Sequence, residues 1–152
     1  MLAIAPESPN QPDVLALMQE SDAYSADRYP PESRHLVDPA LLARSNVRFL
    51  VARRDARAVG CGALVLADDG AAELKRMIVA AAARGRGVGR AILDRLETVA
   101  GREHAPVIRL ETGIYNDAAL RLYRACGYRD RGPFGAYGAD PLSVFMEKVL
   151  TP

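Results

Sequence analysis

Leu74-Lys-Arg-Met-Ile-Val79 leads into Arg84-Gly-Arg-Gly-Val-Gly89, and Ala91 to Val99 follows with helical spacing. The first run suits a strand and the last a helix, so the glycine-rich stretch is the turn between them. Backbone N–H groups at such a turn point outward without partners, which makes it a cradle for an anion. Gly85, Gly87 and Gly89 leave bare amides, and Arg84, Arg86 and Arg90 add positive charge around them. The spacing excludes two common phosphate loops, because neither Gly-x-Gly-x-x-Gly nor Gly-Lys followed by Ser or Thr is present. What remains is Arg-x-x-Gly-x-Gly, running from Arg84 through Gly87 to Gly89. The competing reading is an arginine-rich solvated turn that caps an ordinary helix.

Working outward, Leu2 to Ala5 reads as a short strand closed by prolines through Pro12. Val14, Leu15, Leu17 and Met18 then suit an amphipathic helix from Asp13 to about Ser25. Tyr24, Tyr29, Pro30 and Pro31 mark an irregular stretch, and Asp38 with Pro39 opens a short helix that ends near Arg44. Val47 to Arg53 and Val59 to Ala67 are two strands across a polar turn, and Asp68-Asp69-Gly70 turns the chain into a third, Ala72 to Val79. After the glycine-rich loop, Ile92, Leu93, Leu96 and Val99 share one helical face. Val107 to Thr112 is a strand, and Ala118 to Ala125 a helix between Asn116 as N-cap and Gly127 at its C-terminal end. Ser143 to Val149 is a terminal strand, preceded by the loop Gly132 to Pro141. The pattern predicts an α+β domain with helices packed on a mixed, mostly antiparallel central sheet.

The 152 residues are the length of one domain, residues 1–152, with room for a sizeable core. A formal net charge of +1, from 20 Lys plus Arg against 19 Asp plus Glu, leaves no electrostatic footprint for nucleic acid. Apolar runs fall short of the ~20 residues a membrane helix needs, and no signal peptide is recognisable at the N-terminus, so no membrane partner is expected and the chain is read as cytoplasmic. Cys61, in a strand, and Cys126, at a helix end, read as small buried hydrophobes rather than as a disulfide or metal site. A homodimer would form through the C-terminal strand and its sheet edge.

The strand-loop-helix block resembles the core of the GNAT superfamily of N-acetyltransferases: Glu73-Leu-Lys-Arg-Met-Ile-Val79, Arg84-Gly85, then Gly87-x-Gly89-x-x-Ile92-Leu93. A second block carries the same resemblance, with Leu110-Glu-Thr-Gly, Asn116, Ala119, Leu122-Tyr123 and Gly127-Tyr128 in order. Together they cover roughly half the chain. The resemblance implies the acyl-CoA N-acyltransferase fold, with acetyl-CoA as cosubstrate and no metal. It implies that the strand before the loop splays from its neighbour and pairs with the pantetheine arm through the backbone of Met77, Ile78 and Val79. Arg84, Gly85, Arg86, Gly87, Val88, Gly89 and Arg90 would then hold the pyrophosphate, and Asn116 and Tyr123 would meet the arm beyond it.

Acetyl transfer to an amine, whose ordinary pKa is ~10.4, needs something to remove a proton and something to stabilise the leaving thiolate. Tyr123 stands where similar enzymes keep the tyrosine that donates to the CoA sulfur, although its spacing also fits a core aromatic. Glu73 stands where one branch of the superfamily keeps a glutamate base. Lys75 and Arg76 are close enough in sequence to hold it instead as a structural ion pair, and a water chain would serve in its place. Glu111, at a strand end, would meet the acceptor amine or pair with Arg109. Tyr24 and Tyr29 fall in the segment that forms one acceptor wall in similar folds, and Tyr137 belongs to the loop that would close over the acceptor. Arg34 and His35, in that same wall segment, and His104 read as surface or loop residues. The function so implied is transfer of acetyl from acetyl-CoA to the amine of a small molecule or peptide, by direct attack in a ternary complex. Two alternatives stand beside it: a non-catalytic module that binds acetyl-CoA and regulates a partner, and an acyltransferase using another acyl chain or a hydroxyl acceptor.

Overall fold

The computed structural model describes residues 1–150. Its elements run β1 (Leu2–Pro6), α1 (Pro12–Arg28), β2 (Val47–Arg54), β3 (Arg57–Leu66), β4 (Ala72–Val79), α2 (Val88–Arg102), β5 (Val107–Gly113), α3 (Asp117–Ala125), β6 (Arg129–Arg131) and β7 (Ser143–Val149). Short 3₁₀ turns occupy Pro31–Ser33, Pro39–Ala43 and Ala81–Ala83. The short helix expected after Asp38 is therefore the second of these turns, and the Asp38 carboxylate accepts from the Ala40 N–H as an N-cap should. Both α1 and α2 run beyond the expected Asp13–Ser25 and Ala91–Val99 at each end, and in α2 the extension adds the buried Val88 and Ala100 to the apolar stripe. β6 is three charged residues, Arg129 to Arg131, with no apolar alternation to mark it.

The strands form one sheet in the order β1-β2-β3-β4-β5-β7-β6. Every neighbouring pair is antiparallel except β4 and β5, which are parallel. Period-two alternation assigns each side chain to a face. Leu50, Ala52, Leu64, Leu74, Ile108, Leu110 and Met146 pack with Ile92, Leu93 and Leu96 of α2 and Leu120 of α3. Phe49, Val51, Cys61 and Ala63 pack on the other face with Val14 and Met18 of α1. Cys61 is accordingly a buried hydrophobe, whereas Cys126 is half-buried. β7 is flanked by β5 and, over Phe145 to Glu147, by β6, so the C-terminal strand is interior there and the sheet's outer edges belong to β1 and β6. Among the described residues no helix is long and apolar enough to cross a membrane.

Strand β4 departs from regular pairing on both of its sides. Its ladder to β5 contains only Ala72 against Ile108 and Glu73 against Arg109. Beyond that point the two parallel strands separate. Its ladder to β3 slips between Cys61 and Ala63, where Arg76 takes φ +54°. This bulge puts Lys75 and Arg76 on the α1 side together and returns Met77 to the α2 side.

The close approach of α2 to β3 rests on Gly60 and Gly62. A Cβ at Gly60 would lie 2.8 Å from the Ile78 carbonyl oxygen and 2.9 Å from Ile92 Cδ1, whereas one at Gly62 would first meet the flexible Met77 Sδ, at 2.6 Å. Gly60→Ala should therefore cost about 1–3 kcal/mol of stability, the range for overpacking a core, and Gly62→Ala less, because a thioether can move and a strand carbonyl cannot. Urea denaturation of the two variants gives the comparison; equal losses would mean that α2 moves as a rigid body instead.

Candidate functional site

The strand separation opens a cleft whose walls are β4 on one side and β5 with α3 on the other. Its larger part, about 390 Å³, is lined by Met77, Val79, Arg84, Gly85, Gly87, Val88, Gly89, Arg90, Asn116, Leu122 and Tyr123, with Ser21 and Ser25 of α1 across the gap. Its smaller part, about 150 Å³, lies further down between the strands and is lined by Tyr29, Arg34, His35, Lys75, Arg76, Glu111, Thr112 and Tyr123. The two parts share Ser21, Ser25, Met77, Asn116, Ala119 and Tyr123.

The larger part has the chemistry of a phosphate-and-amide ligand. Gly85 and Gly87 take φ +77° and +78°, a conformation that disfavours any Cβ, and Gly87 is the N-cap of α2 with no side chain capping the helix. The first N–H groups of α2 therefore remain open to an anion, with the helix dipole behind them. Arg84 and Arg90 flank that position. From Leu74 onward β4 has no ladder partner on the β5 side, so its backbone offers an edge for an amide-bearing arm. Asn116 is the N-cap of α3 by position, yet its side chain does not cap the helix: Nδ2 donates to Thr112 Oγ1 at 3.1 Å. Its Oδ1 is left without a partner among the described residues, between the two parts of the cleft. Ile78 and Arg86 are the members of the expected set that stay outside the larger part; Ile78 packs toward α1 and lines the smaller part, and Arg86 is exposed.

Tyr123 is 6 % exposed and lies where the two parts meet. Burial, then the negative charge of Glu111, pushes its phenol well above the ordinary value, so the hydroxyl keeps its proton. Glu111 does not pair with Arg109, which reaches Asp69 at 3.1 Å instead. The Glu111 carboxylate accepts one hydrogen bond, from Ser143 Oγ at 2.8 Å, and faces the smaller part of the cleft. Its pKa is raised by burial, which the Ser143 bond and the charges of His35 and Lys75 oppose.

Glu73 lines neither part. Its carboxylate is 3.1 Å from Lys75 Nζ and accepts from the Tyr137 hydroxyl at 2.5 Å, while Lys75 also donates to Tyr137 Oη and to the His35 carbonyl. Tyr137 is thereby packed behind Lys75 among His35, Phe134 and Phe145 rather than at the cleft surface. Tyr24, expected on the acceptor wall, lines the larger part, its ring 3.5 Å from the Arg28 guanidinium carbon. Tyr29 is buried on the smaller part, and its hydroxyl accepts from the Tyr115 N–H at 2.9 Å.

Arg34 and His35, read from the sequence as surface residues, line the smaller part. Ser21, Ser25 and Thr112 line the cleft without any signal that singled them out, since lone hydroxyl residues in a helix and at a strand end carry none. Arg76 has its guanidinium almost fully buried, paired with Asp22 of α1 and donating twice to the Val37 carbonyl, at 3.0 and 2.7 Å.

Comparison with known proteins agrees with this geometry. The acetyltransferase (GNAT) family matches residues 14–128. The protein named IAA acetyltransferase from Azospirillum brasilense is 49% identical over 150 residues, covering 98% of each chain. A solved structure from Klebsiella pneumoniae, described as an acyl-CoA N-acyltransferase, superposes with a TM-score of 0.83 at 36% identity over 99% of each chain. The PaiA N-acetyltransferase of Thermoplasma acidophilum, solved in complex with coenzyme A, has the same fold, with a TM-score of 0.80 at 19% identity over 99% of each chain. The chain belongs to the acetyltransferase (GNAT) family and is an acetyl-CoA-dependent N-acetyltransferase.

Proposed function

We propose that the acceptor is a small amine that enters the lower part of the cleft and attacks the bound thioester directly, with Glu111 as proton acceptor and Tyr123 as proton donor. The observation that carries this reading is the position of Tyr123, which lines both parts of the cleft, the larger suited to the acetyl donor and the smaller to the acceptor. Acetyl-CoA supplies an activated acetyl group on sulfur. Gly85 to Arg90 hold its pyrophosphate, and the open edge of β4 at Met77 and Val79 orients its arm. Orientation of two substrates in one cleft supplies most of the acceleration.

Glu111 takes the proton from the attacking nitrogen, directly or through one water, as the new C–N bond forms and the C–S bond breaks. Tyr123 donates to the departing sulfur. Glu111 is preferred to Glu73 because it lines the acceptor part and has a single hydrogen bond, whereas Glu73 is held by Lys75 and Tyr137 outside it. Glu73 keeps a separate task, fixing Lys75 and the Tyr137 loop against β4.

Two measurements test these roles. Tyr123→Phe should lower kcat about 100-fold and leave the Kd for acetyl-CoA nearly unchanged, since a donor to the leaving group acts in the transition state and not in binding. An unchanged kcat removes Tyr123 from the reaction.

For Glu111 the signs of activity and stability should oppose each other. A pKa raised above the ordinary 4.5 means that the folded state binds the proton more tightly than the unfolded chain, so this group lowers stability as pH climbs through its folded value. Glu111→Gln should therefore raise Tm at neutral pH, with the gain vanishing below the ordinary carboxylate value. The wild-type kcat should fall as Glu111 becomes protonated, and the variant should be slow with no such limb. A variant with wild-type kcat, or one less stable at neutral pH, contradicts the assignment.

A further inference from the structure

The charges around the smaller part of the cleft are unequally matched. Four potential cations line it: Arg34, His35, Lys75 and Arg76. Lys75 is paired with Glu73, Arg76 with Asp22 and the Val37 carbonyl, and the His35 ring packs edge-on against Tyr137. Arg34 is different. Among the described residues its guanidinium forms no ion pair and no hydrogen bond, and its Nε is buried without an acceptor. A buried guanidinium N–H that gives up water for nothing is costly unless something else completes it. The backbone that carries this side chain is fixed, because the Arg34 N–H closes the 3₁₀ turn Pro31–Ser33 on the Pro31 carbonyl at 3.2 Å.

Glu111 lines the same space, with only Ser143 bonded to it. One confined volume of about 150 Å³ thus presents an uncompensated cation and a carboxylate. That arrangement is complementary to a molecule carrying both a positive amine and an anion. A planar guanidinium fork matches a carboxylate with two parallel N–H···O bonds, a geometry that a lone ammonium cannot reproduce.

We propose that the acceptor carries a carboxylate in addition to its nucleophilic amine, and that Arg34 is the residue that holds this carboxylate. The inference rests on the proposed function, in which the amine enters this part of the cleft next to Glu111. It names the substrate class as free amino acids rather than peptide N-termini, because in a peptide the group nearest the terminal amine is a neutral amide. Arg34 then sets specificity, and its unpaired Nε is completed only when the acceptor binds.

The test compares glycine, L-α-amino acids and straight-chain ω-amino acids, each with its own carboxamide, by thiol release from acetyl-CoA in the wild type and in Arg34→Gln and Arg34→Lys. In the wild type at least one acid should exceed its amide in kcat/KM tenfold or more, and the optimum along the ω series reports the spacing of amine and carboxylate. In Arg34→Gln that ratio should fall toward one, with part of it returning in Arg34→Lys. Wild-type ratios at or below one throughout would overturn the proposal while leaving amine acetylation intact, and so would a preference that survives in Arg34→Gln. Thiol release with no amine of either series would remove the underlying reading of the cleft, and this inference with it.

Discussion

The parting of β4 from β5 is the constraint on which the rest of the molecule depends. Two parallel strands that stayed paired along their length would leave no edge and no cleft. Here the ladder stops after Glu73 and Arg109, so the edge of β4 from Leu74 to Val79 faces open space instead of a neighbouring strand. Unpaired backbone groups in a sheet interior are costly, and their natural completion is a ligand that pairs like a strand. The same parting places the N-terminus of α2 at one end of the gap and Glu111 at the other, with Tyr123 between them. Both parts of the cleft, and the tyrosine proposed as proton donor between them, thus follow from one topological event.

The bulge at Arg76 holds that arrangement in place. A non-glycine residue at φ +54° is strained, and such strain persists only where surrounding contacts over-determine it. The Arg76 guanidinium supplies those contacts by reaching Asp22 on α1 and the Val37 carbonyl in the segment after α1. The wall that carries Arg34 and His35 is in this way tied to the strand it faces. Lys75, placed on the same side by the bulge, adds a second tie through the His35 carbonyl. Two charges that would be expensive singly are each matched by a carboxylate, whereas Arg34 has no such partner among the described residues.

The donor half of this site is legible in the sequence, and the acceptor half much less so. Arg84 to Gly89 is readable because backbone chemistry made the glycines necessary and because the loop is contiguous. Strands β1, β2, β3, β4, β5 and β7 are readable because apolar runs bounded by turn residues mark them, and β6 is not, because its three residues are all charged. The smaller part of the cleft, proposed for the acceptor, is assembled from distant segments, Tyr29 to Val37, Lys75 with Arg76, and Glu111 with Thr112, whose residues come together only after the bulge and the parting are in place. Glu73 shows the difficulty most plainly: residue type and position fit a base, yet the side-chain direction imposed by the ladder delivers it to Lys75 and Tyr137. Which of two carboxylates meets the cleft is decided by pleat and register, and a one-dimensional pattern carries neither across segments.

Amide hydrogen exchange of the enzyme with and without coenzyme A tests the central claim most directly. If the open edge of β4 is where the donor arm docks, the amides of Met77 and Val79 should slow markedly when coenzyme A is added, together with those that open α2, while β1 and β2 stay unchanged. Protection confined to the glycine-rich loop, with Met77 and Val79 exchanging as fast as before, would contradict it.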